Sequence, residues 1–120
     1  MANRWTSVTV DCMDPGRLAQ FWSALLQRPV SDEHDGPGWA TVGSRLDAQP
    51  RLTFQAVAEP KSAKVRLHLD VQVDDIDAGR EQVRALGGRW TGERYDYDEG
   101  VVLVMQDPEG HEFCLVQYYD

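Results

Sequence analysis

A chain of 120 residues with 42% hydrophobic and 27% charged residues has the size and mixture of one globular domain, which excludes disorder, a collagen-like repeat and a disulfide scaffold. Twelve Lys+Arg against twenty Asp+Glu leave a formal charge of -8, which repels phosphate backbones and anionic lipid, so neither nucleic acid nor membrane is an expected partner. No apolar run approaches the roughly 20 residues of a membrane helix and the opening stretch lacks a signal-peptide core, so a cytoplasmic protein with Cys12 and Cys114 reduced is expected.

Residues 5–12 (WTSVTVDC) are rich in β-branched and aromatic types and predict a strand. Asp14-Pro15 is a helix start: an N-cap acceptor, then a proline whose missing donor costs nothing at the first helical position. Leu18, Phe21, Trp22, Leu25 and Leu26 follow as an apolar helical stripe that Pro29 stops. A short strand is expected at 30–33 and a loop at His34-Asp35-Gly36-Pro37, with His34 solvated. Strands follow at 38–43 and 51–57.

The order then restarts. Residues 65–73 (VRLHLDVQV) alternate strictly and predict a strand. Asp74-Asp75 cap a helix carrying Ile76, Val83 and Leu86, ended by Gly87-Gly88. Strands are expected at 89–95, 101–106 and 112–118, with an acidic hairpin loop at 95–99 and a type I turn at Asp107-Pro108-Glu109-Gly110 beside a solvated His111. Aligning Asp14 with Asp75 gives an offset of 61, and Phe54-Gln55 with Phe113-Cys114 an offset of 59. The two anchors agree within two residues, so β-α-β-β-β is written twice, as modules of about 1–60 and 65–120 around a hinge at 60–64.

Strand alternation assigns faces. Val65, Leu67, Leu69, Val71 and Val73 share the face expected under a helix, and Arg66, His68, Asp70 and Gln72 share the other. Ser7, Thr9 and Asp11, then Thr53 and Gln55, then Glu112, Cys114 and Val116, share the corresponding open faces. The plain reading of such a face is a solvated antiparallel surface.

The segments Asp14-Pro15…Phe21-Trp22, Arg66-Leu67-His68-Leu69-Asp70-Val71…Asp74-Asp75-Ile76, Leu86-Gly87-Gly88 and Asp107-Pro108-Glu109-Gly110-His111-Glu112-Phe113 occur in this order along nearly the whole chain. In this the sequence resembles the vicinal oxygen chelate superfamily of glyoxalases, bleomycin-resistance-type binding proteins and extradiol dioxygenases, and especially its small bacterial glyoxalase-like subgroup. The resemblance implies an α+β fold of two tandem βαβββ modules, a curved, cup-shaped mixed sheet with helices on the outer face, a ligand in the cup, and a homodimer.

It also implies metal positions at Ser7, Gln55, His68 and Cys114. Of these only His68 is a common ligand of the expected type, and Glu112 stands two residues before Cys114 on the same face. His68, Cys114 and Gln55 would offer N, S and a neutral O, a softer set that favours zinc over iron or manganese, and fewer strong ligands than the three of a catalytic zinc. Without metal, Arg66, His68 and Asp70 stand about 7 Å apart along one strand. Asp70 would then fix the His68 tautomer as an acid–base pair, and Arg66 would bind a carboxylate or phosphate; the alternative is an Arg66–Asp70 surface ion pair. The expectation is therefore a small-molecule-binding protein of the glyoxalase/bleomycin-resistance type without cofactor. Catalytic roles fall on His68 and Asp70, and ligand contacts on Arg66, Ser7, Thr9, Gln55 and Glu112. The alternatives are a lyase, isomerase or dioxygenase using one divalent Zn, Ni, Mn or Fe on His68, Cys114 and Gln55, and a ligand-sensing regulatory domain of ferredoxin-like type.

Overall fold

The computed structural model describes residues 3–119, with backbone only at 33–35. The chain divides into two compact units, Met1–Pro60 and Lys61–Asp120. The first contains β1 (Ser7–Cys12), α1 (Pro15–Leu26), β2 (Val30–Gly36), β3 (Trp39–Val42) and β4 (Arg51–Ala56). Its four strands lie in the order β1-β4-β3-β2, with β1 parallel to β4 and the other pairs antiparallel. The second contains β5 (Asp70–Gln72), α2 (Ile76–Ala85), β6 (Arg89–Tyr97), β7 (Gly100–Gln106) and β8 (Glu112–Tyr118), in the order β5-β8-β7-β6 with β5 parallel to β8. This is the expected α+β class with two βαβββ modules.

Each helix starts where its cap residue stands. Asp14 accepts the Arg17 N–H at 3.2 Å, and Asp75 accepts the Ala78 N–H at 2.8 Å. The stripe of α1 buries Leu18, Phe21, Trp22 and Leu25 against β3 and β4, where Val42, Leu52 and Phe54 meet it. In the second unit Ile76 and Val83 of α2 lie over Val101, Leu103, Met105, Phe113 and Leu115. A Cβ on Gly79 would come within 3.1 Å of Val73 and 3.3 Å of Leu115, so this glycine lets α2 approach its sheet closely. Among the described residues no helix is long and apolar enough to cross a membrane.

Three segments differ from the sequence expectation. The strand expected over 65–73 forms only at Asp70–Gln72. The Val65 N–H donates to Glu112 Oε1 at 3.0 Å, and the Leu69 carbonyl accepts from the Cys114 N–H at 2.9 Å. Four residues on one side therefore span two on β8. The surplus loops out as a bend and leaves Leu67 91% exposed instead of packed under a helix. The second difference is β2, which runs through 34–36, where a loop is expected; the side chain of His34 lies outside the described residues. Third, β6 continues through Tyr97, so the hairpin turn shrinks to residues 98–99.

Candidate functional site

The two faces of the second sheet differ. Phe113 and Leu115 point towards α2, while Glu112, Cys114, Val116 and Tyr118 alternate to the face that no helix of this unit covers. Strand register extends this second face across the sheet. Asp70 stands opposite Cys114, Cys114 opposite Val104, Val116 opposite Val102, Val102 opposite Tyr95, and Gly100 opposite Tyr97. Val104, Cys114 and Val116 form a buried apolar cluster with Val102 packed on it. Tyr95 and Tyr97 stack along the β6 edge with ring centres 6.4 Å apart. A cavity of about 190 Å³ opens here, lined by Asp70, Tyr97, Glu99, Gly100, Val102, Val116 and Tyr118.

Cys114 is 9% exposed. Burial above all raises the pKa of its thiol, and the neighbouring Asp70 carboxylate, which accepts a hydrogen bond from it, raises it further. The thiol is therefore protonated at neutral pH and serves as part of the buried apolar cluster. The Glu93 carboxylate similarly raises the pKa of the Tyr95 phenol, whose O–H it accepts at 3.3 Å.

Glu112 faces the same way but is already engaged. Its carboxylate accepts the Val65 N–H at 3.0 Å and pairs with Lys61 at 3.1 Å. Burial alone would raise its pKa, but these two donors outweigh burial and lower it. Glu112 thus clips the start of the second unit to β8. Arg66 and His68 lie exposed on the bend before β5. Among the described residues no hydrogen bond joins His68 to Asp70, and no ion pair joins Arg66 to Asp70. The three side chains expected along one strand face are not displayed by one strand.

In the first unit Ser7, Thr9 and Gln55 do share the open face, but Ser7 stands opposite Arg51 and Gln55 opposite Asp11. Four residues, about 13 Å of strand, separate the two. Between them runs a row of hydroxyls, Thr9–Thr53–Thr41–Ser31, one from each strand. Thr41 and Thr53 are 0% and 2% exposed, and their Oγ1 atoms find no partner among the described residues.

These placements decide the fit of the divalent metal that the resemblance implies. Among the described residues no three of His, Cys, Asp and Glu gather closely enough to hold an ion. Ser7 and Gln55 are held apart by register, and Glu112 is committed to Lys61 and Val65. The donors within either unit do not fit such a metal.

The sequence reading missed Glu99, Val102 and Tyr118 as lining residues. The signal for Tyr118 was the parity that puts it with Cys114 and Val116, and the period-two pattern of Tyr95-Asp96-Tyr97 marks the strand that carries Tyr97 to the rim. His111 is not solvated as its turn position predicts. Instead His111 Nδ1 lies 2.9 Å from Oδ2 of the buried Asp107, which ties down the β7–β8 turn.

The model of the glyoxalase-like domain matches residues 7–116 of the chain. A glyoxalase/bleomycin resistance protein/dioxygenase family enzyme from Burkholderia phytofirmans PsJN superposes with a TM-score of 0.79 at 15% identity, covering 95% of this chain and 98% of that one. The fosfomycin resistance protein FosX of Listeria monocytogenes gives 0.76 at 18% identity, with 99% and 94% covered. The oxidase ChaP-H2 gives 0.72 at 19%, with 99% and 96% covered. No curated protein gives a significant match. The structural likenesses establish the fold, and with the family model spanning nearly every element described above, the chain belongs to the glyoxalase-like domain family of the vicinal oxygen chelate superfamily.

Proposed function

We propose that this protein binds a small organic molecule on the open face of its second sheet, and that it does so through its own side chains without a resident metal. The observation that carries the reading is the 190 Å³ cavity over Val102 and Val116, whose cluster with Val104 and Cys114 lies buried, rimmed by Tyr97 and Tyr118 and by the Asp70 carboxylate. A concave apolar floor with a few convergent polar groups is the usual form of a ligand site. Relatives of the same fold include a fosfomycin resistance protein and an oxidase, which supports small-molecule work on this scaffold. In this reading Asp70 orients the ligand, the tyrosine rings stack on it, and the valines exclude water.

A melting-temperature screen of the whole chain against a mixed panel of anionic, neutral and cationic metabolites tests this. A compound that binds only the folded state raises the melting temperature by mass action. The shift should disappear in Val102→Trp, which fills the cavity. Shifts that survive Val102→Trp, or near-stoichiometric divalent metal in protein purified without nickel or chelator, would overturn the proposal.

A further inference from the structure

We infer that the ligand of this cavity is a small organic ammonium cation, with its charge between Asp70 and Glu99 and its alkyl groups against Tyr97, Tyr118, Val102 and Val116. The inference rests on the small-molecule reading above and adds the ligand's charge and class. The lining contains two carboxylates and no Lys or Arg. Among the described residues neither Asp70 nor Glu99 is in an ion pair, although ion pairs engage Asp47, Asp77, Glu81, Asp96 and Glu112 elsewhere. The Asp70 carboxylate accepts from the neutral Cys114 thiol, a contact that brings it no positive charge. The backbone holds Glu99 in place, its carbonyl accepting the Tyr119 N–H at 2.8 Å.

The surroundings of these carboxylates select the kind of cation. Hard metal ions require six or more oxygen ligands or a fixed octahedral cage, and here two carboxylates face tyrosine rings and valine methyls. An alkylammonium is satisfied by those same groups. Its charge interacts with the carboxylates and the ring faces, and its methyl or methylene groups bury against the valines. The cavity is smaller than the roughly 300 Å³ at which drug-sized sites begin, so it suits a head group of a few heavy atoms. The chain's charge of -8 favours the approach of a cation and opposes that of an anion.

The test is calorimetric titration of the full chain with choline and with benzylammonium. The neutral isostere 3,3-dimethylbutan-1-ol and calcium chloride serve as controls. A cation should bind at least about tenfold tighter than the neutral isostere and weaken as salt rises. The Asp70→Asn/Glu99→Gln double variant should lose about tenfold or more, and Tyr97→Leu about fivefold. All three positions are exposed, and circular dichroism confirms that the variants keep their fold. The inference falls if neither cation binds, if the neutral isostere binds as well, if calcium binds with the same dependence on Asp70 and Glu99, or if the double variant binds unchanged. A neutral or anionic metabolite that stabilises the native chain but not Val102→Trp, with both cations silent, would remove the charge assignment and leave the small-molecule reading standing.

Discussion

Across the open face of the first sheet runs a row of hydroxyls, Ser31–Thr41–Thr53–Thr9. Across the second runs Tyr95–Val102–Val116–Gln72, at the matching strand order. Beneath both rows the helix-facing residues are of one type: Leu52 and Phe54 in one unit, Phe113 and Leu115 in the other. The comparison separates what the repeated architecture must keep from what it is free to change. A helix needs an apolar sheet face to cover, and neither copy can surrender it. The open face carries no such demand, and there one copy has become hydroxylic and the other apolar with an acidic, aromatic rim.

The loops that join the last two strands of each unit diverge in the same manner. In the first unit a cation organises the connection: Arg28 donates to the Pro50 carbonyl at 2.7 Å and to Asp47 at 3.1 Å. Gly43, at φ +80°, leaves the space that the guanidinium fills. In the second unit an anion does the work. Buried Asp107 accepts the Glu109 N–H at 2.9 Å, the His111 N–H at 3.0 Å and the His111 ring at 2.9 Å. Removing Asp107 leaves three half-buried donors without this acceptor, so Asp107→Ala should destabilise by about 3 kcal/mol. Arg28→Ala frees carbonyls that water can reach and should cost about 1–2 kcal/mol. Urea denaturation of both variants measures the order, and an Arg28→Ala loss exceeding that of Asp107→Ala would reverse it.

The next effect in size concerns the strand that differs most between the copies. β1 has six residues and β5 three, because Glu112 holds Val65 and Lys61 where the strand would otherwise continue. The pKa of this carboxyl is lowered in the folded chain, against the opposing pull of burial. A lowered folded pKa contributes stability that is present above the ordinary carboxyl range and is lost as pH falls through the folded value. The native chain should therefore lose this increment on acidification below that range. Glu112→Gln should be about 1–2 kcal/mol less stable at neutral pH and lack that part of the acid loss. Denaturation curves at a series of pH values decide it, and parallel acid profiles for the two proteins would remove Glu112 as the clip.

Local and distant causes divide what the sequence displays from what it hides. Asp14-Pro15 and the apolar spacing of α1 lie within one segment, as does the alternation of β8, and both elements form where expected. The shortening of β5 is hidden because its cause, Glu112, lies 47 residues after Val65. Asp70 and Cys114 are legible as open-face residues by parity alone. The parity of Tyr97 and Tyr118 is local too, but with Glu99 they become cavity lining only once β6, β7 and β8 pair in their register, which no local pattern carries. His68 reverses this: its alternating neighbours promise a strand position that the bend at 66–67 withdraws.

The smallest expected effect has the opposite sign and belongs to the hydroxyl row. Thr41 and Thr53 stand opposite one another on β3 and β4, buried, each with an Oγ1 that no described group satisfies. A buried hydroxyl without a partner costs free energy that a methyl of the same shape does not. Thr41→Val and Thr53→Val should each stabilise by about 0.5–1 kcal/mol, a rise of a few degrees in melting temperature. Because the two side chains are neighbours, the double variant need not be additive. The matching change in the other copy, Val116→Thr, would introduce a hydroxyl into an apolar cluster and should destabilise by about 1–2 kcal/mol. Calorimetry on these variants measures whether the two open faces tolerate polarity to different degrees. A loss of stability in Thr41→Val would mean that the hydroxyls are satisfied, by water or by a ligand, and that the first unit's open face is polar because something is held there.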